Sequence, residues 1–236
     1  MSSVTTIPIA SLLLGFIPVL LLIIIMRAWG LNALHAMYAN IRMLVQLLLI
    51  GYVLTYIFET DEPVFVVLVV IFMIAMSSWI ALRPLIDRGI KPYSIVVIAI
   101  GVGGLGVLIL VTQIILELPR WYEPRFVIPL AGMVFANSMN TISLAGERFH
   151  AERERGEDYL SARRTAMEAA MIPQVNALLA VGLVSLPGMM TGQILSGVEP
   201  LIAARYQIMV MCMIFSTAGI AAVIYMAIKK NSATDG

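Results

Sequence analysis

The sequence predicts an all-α, polytopic membrane protein, and three observations carry that prediction. The composition is 61% hydrophobic and only 12% charged, against about 25% charged in ordinary soluble domains. The apolar residues gather into runs near the length that crosses a bilayer as a helix, about 20 residues. Lys and Arg fall mostly between alternate runs, so they collect on one side. A mean hydropathy of +0.96 agrees with all three.

Seven segments satisfy the length and polarity required for a crossing: residues 7–26, 43–58, 64–82, 93–116, 126–144, 175–195 and 201–228. The first follows MSSVTTIP, which lacks the basic start of a signal peptide, so it is expected to be retained. The second is the shortest. Glu59, Asp61, Glu62 and Pro63 follow it, an acidic turn that no helix can hold at the bilayer centre, so the second and third segments form a hairpin. The fourth contains Gly101, Gly103 and Gly106 in G-x-G-x-x-G spacing. A dinucleotide site would need a preceding strand and a following helix start, so here the small residues are expected to permit close helix approach. The fifth leads into the long, charged stretch 145–171, and the polar tail 231–236 closes the chain.

Basic residues near helix ends stay on the cytoplasmic side. One side collects Arg27, Arg42, Arg83, Arg88, Lys91, Arg148, Arg153, Arg155, Arg163, Arg164, Lys229 and Lys230, leaving only Arg120, Arg125 and Arg205 for the other. With seven crossings the termini lie on opposite faces, the N-terminus outside and the C-terminus cytoplasmic. The whole chain, residues 1–236, reads as a single transmembrane domain.

Several function classes lack their parts. A net charge of +1 gives no pull toward nucleic acid, and no nucleic-acid-binding signature is present. Cys212 is the single cysteine, so there is no disulfide framework. No G-x-x-x-x-G-K-[ST] phosphate loop occurs, so any ATP belongs on another chain, and this one is expected to carry no cofactor. Neither H-E-x-x-H nor G-x-S-x-G is present, His35 and His150 lie outside the spans, and Ser138 and Ser185 have no visible base; enzyme chemistry is not expected.

The polar residues inside the apolar segments are more informative. An unpaired polar group in hydrocarbon is costly, so Gln46, Gln113, Asn137, Ser138, Asn140, Asn176, Ser185, Thr191, Gln193 and Gln207 should face protein or water; Gln46, Asn137, Ser138, Asn140, Ser185 and Gln193 are the ones considered for a path. Asn137 and Asn140 share a helix face in the fifth segment. Ser185 and Gln193 flank Pro187 and Gly188, a break that a membrane helix keeps only where its freed backbone groups are satisfied. These residues form a candidate translocation path; interhelical hydrogen bonding without transport is the alternative. Gly188, Gly192 and Ser196 are four apart and offer a packing face to another helix or a second copy. Met139, Met189 and Met190 are weak candidate thioether ligands for a passing metal. The stretch 145–171, with Arg153, Arg155, Glu157, Asp158, Tyr159, Arg163 and Arg164, mixes charges at helical spacing and is a candidate docking element for a cytoplasmic subunit.

Four blocks in order complete the reading: RMLVQLLLIGYVLTYIF at residues 42–58, NSMNTISLAGERF at 137–149, VGLVSLPGMMTGQILSGVEP at 181–200 and RYQIMV at 205–210. They resemble the FetB-like membrane permeases, which include bacterial iron-export ABC subunits and plant aluminium-tolerance half-transporters. The resemblance implies a permease in the bacterial cytoplasmic (inner) membrane, paired as a homodimer with separate cytoplasmic ABC ATPase subunits that hold the ATP. It implies export of iron or another metal ion. The family pattern carries a segment like ALGATPxQA before the sixth span, where residues 157–163 here read EDYLSAR. A stand-alone channel or carrier, and a membrane scaffold that transports nothing, are the competing readings.

Overall fold

The computed structural model describes residues 7–60, 62–86 and 89–234. Asp61 of the acidic turn and Arg88 of the basic side lie outside the described residues, as do residues 1–6 and the side chain of Lys230. The chain divides into two units, Met1–Thr60 and Asp61–Gly236.

In the first unit, α1 (Ile9–Leu14) and α2 (Ile17–Ala28) together occupy the first predicted span. Pro18 falls in the first turn of α2, where its missing N–H has no intrahelical partner to lose. The third helix, α3 (Ala33–Thr60), is longer than the predicted span 43–58. Its first ten residues are polar or mixed but contain good helix formers, so hydropathy alone placed the start too late.

The second unit holds α4 (Pro63–Ala81), α5 (Ile90–Ile109), α6 (Pro124–Glu154), α7 (Tyr159–Ala180), α8 (Gly188–Leu195) and α9 (Pro200–Thr234). A π-helical turn, Leu110–Ile115, continues α5. Pro63 and Pro124 open α4 and α6, again at positions where a proline costs no hydrogen bond. Among the described residues of the whole chain, six helices are long and apolar enough to cross a membrane.

The sixth predicted span, 175–195, is not one helix. Its first part is the end of α7, which starts back at Tyr159; its last part is α8. Residues 181–187 between them make a tight turn in which Gly182 takes φ +80° and its N–H donates to the Ser185 carbonyl at 2.9 Å. A left-handed residue followed by a proline stops α-helix from both sides. The stretch 145–171 is helical for most of its length, as its charge spacing predicts. It is the end of α6 and the start of α7, joined through 155–158.

In this unit α6 packs against α4, α5, α7 and α9. Small residues set the closest approaches. A Cβ on Gly103 would lie 3.1 Å from the Ala221 backbone nitrogen, and one on Gly104 2.8 Å from the Phe135 ring. Gly101 and Gly106, the other members of the glycine pattern, have nothing within 4 Å of that position. Close approach thus runs through Gly103 and its neighbour Gly104. On α7 the buried residues Ala162, Ala166, Ala170 and Gln174 recur every four positions, one stripe facing inward.

Cross-links identify one end of this unit. Lys229 Nζ sits 5.6 Å from the Phe149 ring centre, and the Tyr159 hydroxyl donates to the Met226 carbonyl at 2.9 Å. The ends of α6 and α9 and the beginning of α7 therefore meet. Because α9 begins at the far end, residues 159–199 run from one end of the unit to the other through the break.

Candidate functional site

The polar residues of α6 and α7 meet about midway along α6. Asn137 and Thr141 are four apart and so share a face; Gln174 approaches that face from α7. Gln174 Nε2 donates to Asn137 Oδ1 at 3.4 Å and to Thr141 Oγ1 at 3.3 Å. Asn137 Nδ2 donates to the Met133 carbonyl at 2.8 Å, and Thr141 Oγ1 to the Asn137 carbonyl at 3.0 Å. Gln174 and Thr141 are buried, Asn137 partly so. The result is an uncharged seam of amides and a hydroxyl between two apolar helices.

Thr141 and Gln174 were not among the residues singled out from the sequence. Thr141 stands one turn from Asn137, which the four-residue spacing reveals. Gln174 follows Pro173 and precedes the predicted span start at 175, so hydropathy leaves it outside the spans; the alanine stripe ending on it is the sequence signal that marks it as inward-facing.

The other candidate path residues are placed variously. Ser138 is fully buried and its hydroxyl has no hydrogen-bond partner among the described residues, whereas Asn140 is exposed. Ser185 is exposed in the turn, Pro187 precedes α8 and Gly188 begins it. Gln193 lies in α8, half-buried, with its Oε1 unpaired. Gln46 belongs to the first unit, where it is exposed on α3 and its amide oxygen can accept from Arg42 at 3.1 Å.

Around Gly188 and Gly192 an added Cβ meets nothing within 4 Å, and the Ser196 hydroxyl donates to the Gly192 carbonyl at 2.8 Å. This face is open in the single chain. Met139, Met189 and Met190 are half-buried. Among the described residues no three His, Cys, Asp or Glu side chains gather where they could share a metal ion.

The junction of α6 and α7 is strongly built. Glu152 is buried and accepts from Arg148 Nη2 at 2.7 Å and Arg155 Nη1 at 3.0 Å, which satisfies its charge. Arg153 Nη1 donates to the Glu157 carbonyl at 2.7 Å, and the Asp158 carboxylate caps α7 by accepting the Ser161 N–H at 2.8 Å. The Tyr159 ring packs edge-on against Phe149, and the Arg163 guanidinium carbon lies 5.7 Å from its centre. The Arg164 guanidinium donates to Glu168 at 2.9 Å, and that hydrogen bond holds its pKa above the ordinary arginine value. Arg153, Arg155, Glu157, Arg163 and Arg164 remain exposed. Beside them a groove of about 190 Å³ is lined by Pro84, Leu85, Glu147, His150, Glu154 and Lys229, with His150 Nε2 3.0 Å from Glu154.

Chemically, the seam offers neutral donors and acceptors within an apolar bundle, and the junction offers a rigid, charged tip. Comparisons with known proteins agree with a membrane assignment. A model of the family described as Uncharacterised protein family (UPF0014) matches residues 9–233. A UPF0014 membrane protein of Synechocystis is 34% identical over 209 residues, covering 80% of this chain and 81% of the relative. The "Probable iron export permease protein FetB" of Escherichia coli is 36% identical over 80% of this chain and 78% of its own. "Protein ALUMINUM SENSITIVE 3" of Arabidopsis thaliana is 26% identical over 79% and 72%. No solved structure matches the chain.

Proposed function

From the premise that the chain belongs to the UPF0014 family, we propose that it is the permease subunit of an ABC-type exporter. A pair of these chains, in the bacterial cytoplasmic membrane, moves iron or another metal ion outward with ATP hydrolysed by a separate cytoplasmic ATPase. The name of the Escherichia coli relative supports the cargo and direction. The observation that carries the mechanism is the α6–α7 hairpin. It joins a charged tip outside the apolar band to the Asn137, Thr141 and Gln174 seam within it.

In this reading, motion imposed at Arg153, Arg155, Glu157, Asp158, Tyr159, Arg163 and Arg164 passes along two packed helices to the seam. The connection is stiff at the tip because Asp158, Tyr159 and Glu152 are all fixed by partners. At the seam the bonds are long, 3.3 and 3.4 Å, so they exchange at small cost. Asn137, Ser138, Asn140, Ser185, Pro187, Gly188 and Gln193 are the proposed path within the second unit. The open Gly188, Gly192 and Ser196 face is proposed to pack against the second copy, and the three methionines to be passing contacts for cargo.

Residues 159–199 cross the unit from end to end, which supports the broken α7–α8 segment as a seventh crossing. In this reading the basic α6–α7 junction lies inside and the start of α9 outside. The test is reconstitution with a co-purified ATPase in proteoliposomes. ATP-dependent Fe²⁺ movement that stops without the ATPase is expected. Equal flux from the permease alone in ATP-free vesicles would replace this reading with a stand-alone carrier.

A further inference from the structure

The groove of about 190 Å³ beside the α6–α7 junction is a cavity that the transport reading leaves unused. It is shaped at Gly146, where a Cβ would lie 2.8 Å from the Leu85 side chain and 3.1 Å from the Tyr225 hydroxyl, so the chain after α4 and Tyr225 of α9 both come close to α6 there. Glu147, His150 and Glu154 of α6 and Lys229 of α9 give the lining its charge, and Pro84, Leu85 and Ile86 give it an apolar part. Lys229 Nζ sits over two rings, 5.6 Å from the Phe149 centre and 5.9 Å from that of Tyr225.

The sequence fixes the depth of this groove in the bilayer. Helices α4, α6 and α9 each run about 20 residues without a charge, the length that crosses the hydrocarbon, and the first charges beyond those runs are Arg83, Glu147 and Lys229. A groove lined by Pro84, Glu147 and Lys229 therefore lies at the level of the lipid headgroups. Trp79 agrees, since its ring is 46% exposed with the Arg83 guanidinium 5.2 Å from its centre, an aromatic and a cation at the membrane boundary. Ile86, which lines the groove, is 68% exposed and offers apolar surface beside it.

The lining sets two carboxylates, of which Glu154 meets His150 at 3.0 Å, against one ammonium. A purely anionic headgroup would meet an excess of negative charge. A zwitterion matches both signs: a primary ammonium brings three donors to the carboxylates, and a phosphate accepts from Lys229. A choline headgroup has the positive charge without the donors. We propose that this groove binds a phospholipid through a phosphoethanolamine headgroup, its ammonium on Glu147 and Glu154 and its phosphate on Lys229. The site is separate from the path and needs neither cargo nor ATPase.

The delipidated full chain in detergent provides the test, titrated with phosphatidylethanolamine, phosphatidylcholine or phosphatidylglycerol of identical acyl chains and read as retained lipid by native mass spectrometry. Phosphatidylethanolamine is expected to be retained at least tenfold more strongly than the other two. Glu147→Gln, at an exposed position, should weaken that retention about tenfold, the loss of one charge-assisted hydrogen bond. Glu199→Gln, just before α9 at the far end of the unit, should leave it unchanged. Equal retention of the three lipids, a preference for phosphatidylglycerol, or a Glu147→Gln chain that behaves as wild type would overturn the assignment. So would displacement of the lipid by an equal concentration of soluble phosphoethanolamine, which would make the free headgroup the ligand. If Glu147→Gln does not fold, the ranking of the three lipids on the wild-type chain decides alone.

Discussion

Gln174 is the residue on which the seam depends, because it is the only side chain there that bonds across two helices among the interactions described. Gln174→Leu leaves Asn137 Oδ1 without its donor in a half-buried place, a loss of about 1 kcal/mol. We expect a melting temperature lowered by several degrees in detergent and ATP-driven flux reduced at least tenfold; unchanged flux in an assembled variant would show the seam to be structural only. The glycines make a second residue-scale contrast. Gly103→Ala pushes a methyl to 3.1 Å from the Ala221 backbone, which cannot yield as a side chain can; overpacking of this kind costs about 1–3 kcal/mol. Gly101→Ala and Gly106→Ala meet nothing within 4 Å and should be neutral or stabilising by up to about 1 kcal/mol, the helix-propensity difference. Thermal melts of the three variants measure this directly.

At the scale of elements, the α6–α7 junction is the part whose role is most exposed to test. Arg163→Glu with Arg164→Glu reverses charge on the exposed side of α7 while sparing the Asp158 cap and the Tyr159 bond to Met226. Retention of the ATPase through purification should fall at least tenfold, with the permease still folded; full retention would remove α7 from the docking surface. Much of this element was legible in the sequence as mixed charge at helical spacing, but its form was not. Hydropathy marks where a helix enters apolar surroundings, not where it ends, so it predicts boundaries at Leu144, inside α6, and at Val175, inside α7. The same limit shortened α3. The break near Pro187 was read from its proline and glycine, yet its centre moved to 181–187 because Gly182, not Gly188, takes the left-handed conformation.

At the scale of the molecule, composition and the clustering of Lys and Arg made the membrane class plain, and the positions of most long helices followed from apolar length. What they could not supply was the pairing of helices: Gln174 with Asn137, or Lys229 with Phe149, are contacts between residues far apart in sequence. Topology is open to direct measurement. In a Cys212→Ser background, a cysteine at Gly156 is expected to react with an impermeant maleimide only from the inside. One at Glu199 should react only from the outside. Inside labelling at both would mean that α7 and α8 turn back without crossing. The seam also has a consequence for the energetics of the cycle. Asn137, Thr141 and Gln174 carry no charge, so a shift of α6 against α7 around them carries none through the field. A potential of 100 mV does about 2.3 kcal/mol of work on each unit charge that crosses, and in the proposed transport cycle that work falls on the cargo alone. Voltage should slow or speed the loaded cycle while leaving cargo-free ATP turnover untouched.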